Sequence, residues 1–163
     1  MPEARTFPTR VGIPAETRRR MINLLNQHLA DAFDLYSQTK QAHWNVKGLQ
    51  FIALHELFDK LAEDLEEAID DMAERVTALG GTALGTVRIV AASSSIAEYP
   101  LDITDGPQHI EALAERFGRL AGMVRSAIDT AAEAGDADTA DLFTEVSRML
   151  DKNLWFLEAH VQA

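Results

Sequence analysis

Two long amphipathic patterns precede a stretch of broken periodicity from Gly81 to Gly106, and two more follow it. The first runs from about Ala15 to His43, where Met21, Leu24, Leu25, His28, Leu29, Ala32, Leu35, Tyr36 and Thr39 recur at three and four residues, the signature of a one-sided helix. The second runs from about Phe51 to Leu79 and stops at Gly80 and Gly81, and the third from Pro107 to Ala134 before Gly135. Pro in a first turn and Gly just past a last one are the usual helix punctuation. The fourth covers about Asp138 to His160. A connection as long as 81–106 is uncommon unless it crosses the molecule, so the order predicts an all-α four-helix bundle with a long crossover between its second and third bundle helices. Within the crossover, SerSerSerIleAlaGlu predicts a short helix starting at one of the serines, and TyrProLeuAsp cannot continue one. Residues 1–14 read as a flexible tail and residues 15–163 as the bundle domain.

A chain of 163 residues with 47% hydrophobic content can bury one real core. With no cysteine, any metal must be held by oxygen and imidazole. No window reaches the ~18–20 apolar residues that span a bilayer, and the N-terminus lacks a signal-like apolar core; a cytoplasmic protein is expected. The net charge is −11, although residues 1–20 hold five arginines against two glutamates. The rest is strongly acidic, which favours cations and repels phosphate backbones.

The second helical pattern carries His55, Asp59, Asp70 and Glu74. Members of each pair are four residues apart and project from neighbouring turns of one face. All four positions fall within about a quarter turn, yet Asp59 and Asp70 are separated by about 16 Å of helix rise, too far for one ion. Positions 55 and 74 have the same sum as 59 and 70. Two copies packed antiparallel about a twofold axis midway between residues 64 and 65 would bring His55 to the partner's Glu74 and Asp59 to the partner's Asp70. The arithmetic predicts two identical sites at an isologous dimer interface. Mixed imidazole and carboxylate ligands suit iron(II), zinc and manganese. No Glu-x-x-His occurs on any helix, so the usual di-iron site inside one bundle is disfavoured, and one strong metal position with a weaker second is expected.

LysGlnAlaHisTrpAsnValLysGly (40–48), PheIleAlaLeuHisGluLeuPheAsp (51–59), AspMetAlaGluArg (71–75), LeuGlyGlyThrAlaLeuGly (79–85), TyrProLeuAsp (99–102) and LeuAspLysAsnLeuTrpPheLeuGlu (150–158) resemble the Dps family, the DNA-binding proteins from starved cells, over about residues 20–160. The resemblance implies a ferritin-like bundle, a hollow dodecamer of identical subunits, and a ferroxidase that oxidises iron(II), preferably with hydrogen peroxide, and stores ferric mineral against oxidative damage. It implies ligands His43, His55 and Asp59 from one subunit with Asp70 and Glu74 from its partner, in agreement with the symmetry of the pairs. It also makes Trp44 a candidate electron donor near the site, where the ordinary reading is a packing aromatic.

By the same resemblance, Asp136, Asp141 and Glu145 are candidates for the acidic lining of a threefold pore that admits iron. A first-turn acid that stabilises a helix dipole explains Asp136 and Asp138 without a pore, but not Glu145. His28, His109 and His160 read as ordinary polar or interface histidines, and Glu63, Asp64, Glu66 and Glu67 as a solvated acidic face. The alternative function is a DNA-compacting protein with iron handling secondary. In the family that activity depends on a mobile, lysine-rich tail, and here residues 1–14 contain no lysine.

Overall fold

In the computed structural model, which describes residues 5–162, five helices follow one another: α1 (Ala15–Asn45), α2 (Phe51–Ala78), α3 (Val87–Ser93), α4 (Gly106–Glu133) and α5 (Ala137–Glu158). No strand occurs among the described residues. α1 packs along α2, and α4 along α5. The two hairpins close on each other through α1 with α4 and α2 with α5, and α3 lies on α1. No helix of the described residues is long and apolar enough to cross a membrane.

Local chemistry sets the helix ends. After α2, the Gly81 N–H donates to Val76 O and the Gly80 N–H to Thr77 O, the paired bonds of a Schellman stop, and Gly80 takes the positive φ of 87° this requires. The same pattern ends α4, where the Asp136 N–H donates to Ala131 O and Gly135 to Ala132 O. α4 opens with the Asp105 carboxylate accepting from the Gln108 N–H at 2.9 Å and with Pro107 in the first turn. Between the hairpins, Phe58, Phe117, Phe143, Met21, Leu25, Leu29, Leu61 and Leu65 are fully buried. Each contributes on the order of 1.5–3 kcal/mol of transfer free energy, offset by the entropy of ordering the chain.

The crossover's short helix lies earlier than the serines predict, ending at Ser93 rather than starting at a serine. Tertiary partners stop it. Ser94 Oγ donates to Asp34 Oδ2 at 2.6 Å, and the Ser95 N–H donates to the buried Asp31 Oδ1 at 2.6 Å. Arg116 then clamps the next residues by donating to Ala97 O and Glu98 O.

The expected flexible tail of residues 1–14 is tied down from Arg5 onward; residues 1–4 lie outside the described residues. The Phe7 N–H donates to Gly80 O at 2.7 Å, Thr82 Oγ1 donates to Arg5 O at 2.7 Å, and Arg18 Nε donates to Ile13 O at 3.2 Å. The segment therefore straps the end of α2, because the Gly80 turn leaves main-chain groups free to bond it.

Candidate metal centre

The short turn between α1 and α2 sets the end of one helix against the start of the next. His43 Nδ1 donates to His55 O at 2.7 Å, and His55 Nδ1 donates to His43 O at 2.8 Å. A carbonyl can only accept, so each Nδ1 carries the proton. In the neutral ring each Nε2 then keeps its lone pair, the tautomer and outer bond typical of metal-binding histidines. The rings stack at 3.7 Å between centroids, 20° from parallel. Asp59, one turn beyond His55, reaches 3.9 Å from His43 Nε2 through Oδ1.

A further side chain completes this corner. Lys40, one turn before His43, holds Asp59 Oδ1 at 2.5 Å. That hydrogen bond, with the nearby charge of the ammonium, keeps the Asp59 carboxyl below the usual carboxylate range against a smaller opposing effect of burial. The sequence reading missed Lys40, although its place three residues before His43 marks the shared helix face. Trp44, next to His43, is 65% exposed, and the Lys40 ammonium lies 5.9 Å from its ring centroid.

Asp70 and Glu74 stand exposed toward the far end of α2. Asp70 borders a groove of about 760 Å³ between α1 and α2, with Glu63, Glu66, Glu67, Phe33 and Tyr36 on its walls. Among the described residues of one chain, no three histidine, aspartate or glutamate side chains are grouped to hold a metal ion. His43, His55 and Asp59 share one corner; Asp70 and Glu74 are not brought to it.

A family model for the Ferritin-like domain matches residues 22–163. The chain is 51% identical over 158 residues to the DNA protection during starvation protein of Agrobacterium fabrum, covering 97% of this chain and 98% of that protein. Among solved structures it is similar to DpsC from Streptomyces coelicolor, with a TM-score of 0.92 at 33% identity over 97% of this chain and 92% of that one. A Dps protein from Vibrio cholerae, described as a member of a broad superfamily of ferritin-like diiron-carboxylate proteins, matches with a TM-score of 0.89 at 28% identity over 94% of this chain and 96% of that one. The chain belongs to the Dps family.

In this Dps chain the three acidic residues expected at a pore part company. Asp136 is 1% exposed and caps α5 by accepting from the Thr139 N–H at 3.1 Å. The same oxygen, Oδ1, accepts from Arg75 Nη2 at 2.7 Å, and Oδ2 accepts from Thr139 Oγ1 at 2.6 Å. Oδ1 is taken up by the join to α2 and Oδ2 by α5 itself, which corrects the reading of Asp136 as a pore-lining group. Asp141 and Glu145 are exposed one turn apart on α5. Trp155 is also exposed, beside Phe156 at 5.0 Å between ring centroids. His28 is buried edge-on to Phe143 and donates through Nδ1 to Leu24 O.

Proposed function

We propose that this Dps protein is a cytoplasmic ferroxidase that oxidises iron(II), preferably with hydrogen peroxide, and stores the ferric product inside a dodecameric shell. The observation that carries the reading is the reciprocal His43–His55 pair, which holds two imidazole lone pairs beside an ionised Asp59. Two nitrogens and one carboxylate make half of an iron(II) site. The matching half, Asp70 and Glu74, lies on the same helix face at the symmetric positions, so an antiparallel partner would supply it. Two iron(II) ions give one electron each to peroxide, which takes two protons and leaves as two waters.

Residue roles follow from chemistry. His43 and His55 bind iron(II) through Nε2 with their planes fixed by the main chain, and Asp59, with the partner subunit's Asp70 and the partner subunit's Glu74, offsets the charge gained on oxidation. Lys40 competes with the metal for Asp59 and disfavours a second ion there, which fits one strong iron position per site. Trp44, next to His43 in the chain, is the proposed electron donor should a radical escape. Asp141 and Glu145 are the carboxylates proposed to draw iron through a pore.

The test uses two chains. One has His43, His55 and Asp59 changed to Ala, the other Asp70 and Glu74 changed to Ala, and each alone should fail to oxidise iron rapidly. Co-expressed, with mixed particles verified by mass, they should regain activity in stopped-flow assays, because a mixed twofold pair rebuilds one complete site. No rescue in verified mixed particles would sink the shared-site reading.

A further inference from the structure

Away from the proposed iron site, the crossover places a tyrosine against a buried histidine that the ferroxidase reading does not use. Tyr99 Oη and His109 Nδ1 are 2.6 Å apart, with rings 15° from parallel and 6.0 Å between centroids. That separation is shorter than the usual ~2.7–3.2 Å range of an N–H donor and falls within that of an O–H donor. With the phenol as donor, Nδ1 is the acceptor. His109 is 1% exposed, its Nε2 has no protein partner among the described residues, and burial lowers its pKa, which keeps the ring neutral near neutral pH. The Arg116 guanidinium sits 5.5 Å from the Tyr99 ring centroid.

The pair is also close to the iron chemistry. The His109 ring is 6.5 Å from that of Phe58, the neighbour of Asp59. Gln41 and Asn45 of α1 line a small cavity with Tyr99 and His109, while His43 stands between them in sequence on another face of the helix. The two centres thus face opposite sides of the last turns of α1.

We propose that Tyr99 and His109 form a proton-coupled redox site that quenches one-electron oxidants escaping the iron site. The phenol loses one electron, its O–H bond breaks, and an N–H bond forms at His109 Nδ1. The electron goes to hydroxyl radical, formed when iron(II) reduces peroxide by one electron, which takes a proton from solvent and becomes water. The phenoxyl radical and imidazolium remain side by side until another iron(II) returns an electron and the proton goes back to oxygen. A phenol without a neighbouring base would have to form its high-energy radical cation; the fixed acceptor removes that step. The supply of oxidant rests on the ferroxidase reading.

Electron paramagnetic resonance of the assembled protein, freeze-quenched after iron(II) and hydrogen peroxide, should show a phenoxyl signal. It should vanish in Tyr99→Phe and persist in Tyr36→Phe. A second arm needs no iron: azidyl radical made by pulse radiolysis should oxidise Tyr99 with a solvent deuterium isotope effect, and His109→Gln should slow that step by at least about 10-fold. Should His109→Gln fail to fold, an exchangeable deuteron coupled to the radical in the wild type reports the same hydrogen bond. A phenoxyl signal surviving in Tyr99→Phe, or azidyl oxidation indifferent to both deuterium and His109, would overturn the proposal. If the wild type fails to oxidise iron while the azidyl arm behaves as expected, the ferroxidase reading falls and the redox pair stands.

Discussion

Lys40 and His109 show how one side chain sets the state of its neighbour. The ammonium of Lys40 holds Asp59 as a carboxylate but occupies the oxygen a metal would use. Charge-assisted hydrogen bonds contribute about 1.5–3 kcal/mol, so Lys40→Met should tighten zinc(II) or anaerobic iron(II) binding by about 10-fold, read by calorimetry; equal or weaker affinity would remove Lys40 as a competitor. At the Tyr99–His109 pair, burial lowers the histidine pKa from 6.5 and raises that of the tyrosine from 10.0. A histidine with a depressed folded pKa contributes stability that is complete above its unfolded value and lost as pH falls. A tyrosine with a raised folded pKa contributes stability that is complete below its unfolded value and lost as pH rises. The pair should thus support the crossover fully between pH 6.5 and 10.0. Thermal melts against pH should lose part of their acid slope in His109→Gln and part of their alkaline slope in Tyr99→Phe.

Helix ends carry the next level of organisation. Asp136 joins α5 to α2 through Arg75, which is itself mostly buried. Asp136→Ala removes a cap and leaves a guanidinium short of its partner, so unfolding should be easier by about 3 kcal/mol. Asp141→Asn with Glu145→Gln touches no such bond. That double variant should melt normally yet oxidise iron more slowly, most clearly at low salt, where a carboxylate ring concentrates cations best. An unchanged stopped-flow rate would remove both residues from the path of iron. Deleting residues 1–14 should spare oxidation but lower Tm, by about 2–4 °C for each kcal/mol lost in a chain of this size, because the Phe7–Gly80 and Arg5–Thr82 bonds go with them.

For the molecule as a whole, charge and anchoring bear on DNA. The net charge of −11 opposes a polyanion, and the arginine-bearing segment is bonded to the α2 turn from Arg5 onward. Full-length protein should therefore leave DNA unretarded in a gel at ~0.15 M salt, where the Debye length is about 8 Å. Retardation that falls steeply with added salt would establish the DNA-binding alternative.

By itself the sequence determined what depends on near neighbours along the chain. The helix stops at Gly80 and Gly135 and the cap at Asp105 are legible because each acts within one turn. The shared face of His55, Asp59, Asp70 and Glu74 follows from the helical repeat alone. Only the tertiary structure decided the rest. The short helix ends at Ser93 because α1 offers Asp31 and Asp34 to Ser94 and Ser95, partners about 60 residues away in the chain. Asp136 became a buried cap because Arg75 meets it from α2, and the tail became a strap because the Gly80 turn bonds it. The tautomers of His43 and His55 depend on each other's main-chain carbonyls, which only the packed hairpin brings within reach.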